Sequence, residues 1–343
     1  MKILHLIAPK ELKEFELTEE KPKENEAKVK IFNVLLNSFD AMVYNGKVNA
    51  SYPIIPGRFA VGKVTAIGEN YQGIIEKGNR IFIDPVFPDL NFKGDSTPLL
   101  GQDSTKLAGQ TRDGFLRPYA TLHTDNLYVL PESVSNESAL YTYLIALAVS
   151  ALDKIGEIKG KYIAVVGATA LGIILCQLLV YYQAVPILID SRTTRLEFAK
   201  QCGVTYAFLN DENLDGNIND ITGAAFADGA IYVASGDAVV NTVAFRVTAP
   251  EKNVVFCGVA PHSLQVNLEL ALKKELHITG VSYASENISS AINLLANKAV
   301  DVTRFAQKTY ALNDLKQAYD DTCEANKGNK NMRLTIIDCY GKL

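Results

Sequence analysis

The chain has 343 residues, 48% of them hydrophobic, which is enough to pack the cores of two domains. Its net charge of -4 gives no broad basic surface, so nucleic acid and anionic membranes are poor partner expectations and small molecules are favoured. The five cysteines are widely spaced and form no C-x-x-C pair, which argues against a disulfide framework or a cysteine zinc knuckle. With no signal-peptide core at the N-terminus and no apolar run long enough to span a bilayer, the expectation is a soluble cytoplasmic protein.

In chain order, residues 1–140 carry short strand patterns, as in 27–34, 60–67 and 80–87, punctuated by Gly and Pro turns. This predicts a β-rich, partly barrel-like domain. Residues 141–294 alternate apolar strands with helices: 162–166, 187–189, 206–209, 230–234, 253–257 and 276–281 predict a six-stranded, doubly wound parallel sheet of α/β class. The tail, 295–343, has a helical stretch (312–323) and a last strand (333–338) whose character matches the first domain, to which it is expected to return.

The densest signal lies at 162–190: an apolar strand, the turn Gly167-Ala168-Thr169-Ala170-Leu171-Gly172, an apolar helix and a second strand ending in Asp190. This is the pattern of a dinucleotide-binding βαβ unit, whose turn lets a helix N-terminus approach a pyrophosphate. Asp190 stands about twenty residues beyond Gly167, the spacing of the acid that accepts hydrogen bonds from a ribose 2′-OH, so NAD(H) is expected before NADP(H). Thr169 replaces the second glycine of G-x-G-x-x-G: its side chain stands where backbone approaches phosphate, and its hydroxyl is itself able to donate to a phosphate oxygen. Gly167, Thr169, Ala170, Leu171 and Asp190 are the candidate cofactor residues. Ser235, Gly258 and Val259, at strand C-terminal ends, join them.

Beyond that turn the chain carries Pro53-Ile54-Ile55-Pro56-Gly57, Gly62-Lys63-Val64-Thr65-Ala66-Ile67-Gly68, Lys77-Gly78-Asn79-Arg80-Ile81, Asp113-Gly114-Phe115, Leu130-Pro131-Glu132 and Gly258-Val259-Ala260-Pro261-His262. Together, over nearly the full length, these resemble the medium-chain dehydrogenase/reductase superfamily of zinc alcohol and polyol dehydrogenases and zinc-free quinone and enoyl reductases. The resemblance implies a GroES-like partly open barrel domain, a Rossmann domain and an NAD(P)-dependent oxidoreductase acting on a small molecule. It also implies a homodimer or homotetramer formed through nucleotide-sheet edges near Leu276 to Tyr283. Arg195 matches a basic residue that approaches the adenosine ribose in the family; an exposed helix charge is the alternative.

The resemblance also exposes departures. In zinc members the first ligand is the Cys of a C-G-[ST]-D run, matched here by Asn37-Ser38-Phe39-Asp40. The second is the His of G-H-E, matched by Gly57-Arg58-Phe59, and a guanidinium is no metal ligand. The third falls at Tyr143. The lobe that holds a four-cysteine zinc in zinc members, roughly 84–113, contains no cysteine. Neither a catalytic nor a structural zinc is expected. His5, His123, His262 and His277 show no metal-ligand spacing.

Without the metal, Asn37, Arg58 and Tyr143 are the candidate catalytic residues, expected to converge because the ligand positions they inherit converge in the family. Asn37 would donate to a carbonyl oxygen. Arg58 would hold a substrate anion or the oxyanion formed during hydride transfer, and Tyr143 would exchange the proton. Structural readings stand beside these: Tyr143 as core, Arg58 paired with a carboxylate such as Asp40, Asn37 satisfying backbone groups. The expectation is a zinc-independent NAD(H)-dependent oxidoreductase of small carbonyls, alcohols or activated alkenes. A polyol or alcohol dehydrogenase, suggested by the segment 273–280, a catalytically silent NAD-binding sensor or complex subunit, and a scaffold that binds no nucleotide are the alternatives.

Overall fold

The computed structural model describes residues 2–16, 21–87, 106–233, 238–258, 268–325 and 334–340. The chain divides into two compact units, Met1–Tyr141 with Ala306–Glu324 and Arg333–Leu343, and Thr142–Phe305 with Ala325–Met332. The second unit thus continues past residue 294 to include the helix Ile288–Ala296.

The first unit is built on the strand Glu26–Leu36, long enough to serve two partners along one edge. Its first half pairs antiparallel with Tyr119–His123 and its end with Leu334–Asp338, while Phe59–Ile67 runs along the other edge. Ala27, Val29 and Ile31 are buried and alternate with Lys28 and Lys30, the period-2 signature of a strand with one face in the core. Arg80–Ile83 and Leu127–Val129 extend the sheet beyond Phe59–Ile67. Ala306–Ala311 extends it beyond Leu334–Asp338, so the returning tail completes the partly open barrel of this GroES-like unit. The N-terminus forms a separate hairpin of Lys2–Ala8 and Glu11–Glu16, an element the strand reading of 27–87 does not contain.

The second unit is a six-stranded, all-parallel sheet in the order Tyr206–Leu209, Val185–Asp190, Tyr162–Val166, Ala227–Val233, Thr248–Cys257, His277–Val281. Counted in chain order this is 3-2-1-4-5-6, the doubly wound order, whose reversal point lies beside the Tyr162–Val166 strand. Its strands read as apolar runs because both faces are covered: Ala164, Val166, Ile187, Ile189, Ala230 and Val254 belong to one core cluster with the Ala238–Val247 helix residues Val243 and Phe245. Among the described residues, no helix is long and apolar enough to cross a membrane.

Candidate active site

The turn after Tyr162–Val166 is glycine-dependent at two points. Gly167 has φ +117°, and a Cβ there would lie 2.7 Å from the Val233 carbonyl oxygen; one on Gly172 would lie 2.0 Å from the Gly167 oxygen. The middle position makes no such demand: Thr169 has φ -89° and ψ 174°, ordinary extended backbone, and serves as N-cap of the Ala170–Tyr181 helix, its Oγ1 accepting the Gly172 N–H at 3.2 Å. The hydroxyl keeps its own proton to donate. A small-residue turn closing onto a twelve-residue helix fits a dinucleotide pyrophosphate.

Asp190, 5% exposed, closes the turn from the neighbouring strand. Its Oδ2 accepts the Ala168 N–H at 2.7 Å and its Oδ1 accepts the Arg192 N–H at 2.9 Å, with Arg195 Nη1 3.9 Å from Oδ2. Each carboxylate oxygen retains acceptor capacity for a ribose hydroxyl. Arg195 is buried beside this acid rather than standing as an exposed helix charge. Gly258 ends its strand with φ +106°, and its N–H donates to the Val281 oxygen. Ser235 and Val259 lie outside the described residues.

In the barrel unit, Asn37 and Asp40 form a capping box on the helix Ser38–Tyr44. Asn37 Oδ1 accepts the Phe39 and Asp40 N–H groups at 2.7 and 3.4 Å, and Asp40 Oδ2 accepts the Asn37 N–H at 3.0 Å. Arg58, 5% exposed, lies with Cζ 3.9 Å from the centre of the Phe39 ring, and its Nη2 points to Gln110 Oε1 at 3.5 Å. Gln110 is itself oriented by its Nε2, which donates to the Asn49 oxygen at 3.1 Å. Burial pushes the Asp40 carboxyl up to about 6, against the pull of the Asn37 N–H and the Arg58 charge. Behind it, Tyr44 stacks on the buried Tyr319 at 4.3 Å between centroids, and burial and the Asp40 charge both hold the Tyr319 hydroxyl well above the ordinary phenol range.

The structure therefore brings Asn37, Asp40 and Arg58 together in one unit. Tyr143 belongs to the other, buried on the helix Thr142–Ile155, where its Oη accepts the Ala284 N–H at 3.3 Å. Asp40, the carboxylate that the sequence reading offered as a partner for Arg58, does lie in the cluster, its charge felt by Arg58. Gln110 escaped that reading, a loop residue that no pattern marks.

At Asn37 and Arg58, which the resemblance matches to catalytic zinc ligands, the side chains do not fit a zinc ion. The Arg58 guanidinium has no lone pair to give, and Asn37 Oδ1 is turned into its own helix by two N–H donors. Most of the lobe expected at 84–113 lies outside the described residues.

Two family models match: Alcohol dehydrogenase GroES-like domain over residues 23–132 and Zinc-binding dehydrogenase over residues 170–297. Among curated relatives, D-xylulose reductase of Saccharomyces cerevisiae is 24% identical over 280 residues, covering 79% of this chain and 78% of that protein. A putative zinc-binding dehydrogenase from Sinorhizobium meliloti, solved bound to NADP, superposes with TM-score 0.85 at 19% identity over 98% of both chains. A short chain alcohol dehydrogenase from Escherichia coli CFT073, solved with NADH, gives 0.83 at 21% identity over 98% of this chain and 99% of that one.

Proposed function

Because this chain belongs to the medium-chain dehydrogenase/reductase superfamily, we propose that it is a nicotinamide-dependent oxidoreductase that prefers NAD(H) and works on a small carbonyl or alcohol without zinc. The observation that carries this reading is the glycine-tight turn tied to Asp190 by the Ala168 N–H. Gly167, Thr169, Ala170 and Leu171 would hold the pyrophosphate, and Asp190 with Arg195 the adenosine ribose; when bound, the nicotinamide supplies the hydride donor or acceptor. Asp190 favours NAD(H), since a 2′-phosphate would bring negative charge to a carboxylate.

Arg58 takes over the electrostatic work that zinc does elsewhere in the family. Fixed on Phe39 and steered by Gln110, its guanidinium offers preorganised donors to a developing oxyanion. Tyr143 supplies the proton, its Oη being held in place by the Ala284 N–H. The relatedness to D-xylulose reductase makes ketoses and polyols the first substrates to try. The protein is taken as cytoplasmic and self-associating, with the sheet's last strand, His277–Val281, and its exposed Ile278 as the joining edge.

A second reading, a catalytically silent NAD-binding subunit, is favoured by one observation: all three candidate side chains have partners within the protein itself, Asn37 Oδ1 in its capping box, Arg58 on Phe39 and Gln110, and Tyr143 Oη on the Ala284 N–H. Titrating the purified protein with NADH and NADPH by nicotinamide fluorescence, followed by a ketose, polyol and enone panel, separates the two. Turnover with any panel member supports the enzyme. Tight NADH binding with no turnover supports the silent subunit, and binding of neither nucleotide defeats both.

A further inference from the structure

Arg58 is set in a frame that leaves it little freedom. The residue before it, Gly57, is laced to the segment 114–116: the Phe115 N–H donates to the Gly57 oxygen at 3.0 Å, the Leu116 N–H to the Pro56 oxygen at 3.0 Å and the Gly114 N–H to the Ile55 oxygen at 2.6 Å. Gln110, whose Oε1 faces Arg58 Nη2, is tied in turn through its backbone oxygen to the Ser51 N–H at 2.8 Å. The guanidinium lies over the Phe39 ring. Asp40 is the next residue, on the first turn of the same helix, its carboxyl anchored through Oδ2 by the Asn37 N–H. Acid and guanidinium are thus both held by fixed neighbours.

Asp40 is buried. Among the described residues, the titratable groups packed around it are Arg58 and, on the helix Leu315–Ala325, Tyr319, with Tyr44 and Cys323 beside Tyr319 and Asp320 farther out beside Tyr44. Arg58 is the charged side chain whose field reaches the Asp40 carboxyl. Such an influence is reciprocal: a guanidinium that favours the ionised acid is itself less free, once that acid is ionised, to stabilise another negative group. Burial raises the carboxyl to about 6, so both of its states are reached near neutral pH.

We propose that Asp40 is a positioning residue that acts on catalysis through Arg58: neutral, it leaves the whole guanidinium charge to the oxyanion forming on the substrate oxygen, and ionised, it draws part of that charge to itself. This rests on the oxidoreductase reading and adds to it an acid–base group separate from Tyr143, which exchanges the proton.

Carbon-13 NMR of protein labelled at the aspartate carboxyls tests the link directly, the Asp40 resonance being the one lost in Asp40→Asn. A midpoint of about 6 is expected, moving to higher pH in Arg58→Gln. A midpoint unmoved in Arg58→Gln overturns the proposal, with or without turnover. The second measurement is kcat and KM for the best carbonyl substrate of the panel, from about pH 5.5 to about pH 7.5, in the parent, in each single variant and in the double variant. As pH rises, kcat of the parent is expected to drop about fivefold below that of Asp40→Asn, the low end of couplings between sites, with KM little changed because the oxyanion exists only in the transition state. This gap should close when Arg58 is also replaced. A gap that persists without Arg58 makes Asp40 merely structural and overturns the proposal. Failure of the oxidoreductase reading shows differently, as no turnover with any substrate alongside an Asp40 midpoint that still answers to Arg58.

Discussion

Asp190 Oδ2 accepts the Ala168 N–H at 2.7 Å, so the acid that would read the ribose also fastens the turn that would hold the pyrophosphate. This double duty separates two substitutions. Asp190→Asn keeps an acceptor for the turn and loses the charge, so it is expected to weaken NADH modestly and narrow the NADH-over-NADPH preference. Asp190→Ala strands a buried N–H as well, costing about 1–3 kcal/mol of stability and lowering affinity for both nucleotides. Equal nucleotide profiles for the two variants in fluorescence titration, with equal thermal stability, would show that the turn does not depend on the carboxylate.

Thr169→Gly removes a helix cap but leaves a residue that suits the N-cap position almost as well, a loss of a few tenths of a kcal/mol. It also releases the Gly172 N–H and opens the approach to the helix end. Tighter NADH binding with nearly unchanged stability is expected. Weaker binding would mean that the hydroxyl itself contacts the phosphate.

Asp40 makes stability pH-dependent in a defined direction. Its carboxyl rises from 3.8 to about 6 on folding, so the folded state holds the proton more tightly between these values. Stability from this group is greatest below about pH 4, falls as pH rises to about 6, and stays lower above. Asp40→Asn keeps the capping acceptor and removes the cost of the buried charge. Urea unfolding should find the variant more stable than the parent at pH 7.5 by about 1–2 kcal/mol and closer to it at pH 4.5. A variant less stable at pH 7.5 would show that the ionised acid is needed beside Arg58.

Arg58→Lys keeps the charge but loses the planar stack on Phe39 and the fork of donors. With the fold retained by circular dichroism, a fall of at least about tenfold in kcat/KM is expected, and about 100-fold for Arg58→Ala. Unchanged turnover in both would assign Arg58 to packing on Phe39 alone. Tyr143→Phe leaves the Ala284 N–H without its acceptor, so stability falls whichever role is correct. The discriminating readout is the pH profile of kcat, which should lose a limb only if the hydroxyl exchanges the proton.

The parallel sheet was legible because a strand buried on both faces has to be an unbroken apolar run, as 162–166 and 253–257 are, and because Gly167 has no substitute at φ +117°. The returning strand Leu334–Asp338 was legible from its composition. The N-terminal hairpin was not, since Glu11–Glu16 is almost wholly exposed and carries no burial pattern. In the site, Arg58 stood out by departing from a family run. Its neighbours Phe39 and Gln110 depend on how a helix start and a loop meet it in space, and sequence spacing holds no record of that.

The most direct test of the account is a metal analysis joined to the nicotinamide-coupled substrate panel on purified, chelator-treated protein. The account predicts turnover that survives chelation, in protein with no stoichiometric zinc, and that falls in Arg58→Ala. One tightly bound zinc per chain, whose removal abolishes turnover and whose return restores it, would contradict it.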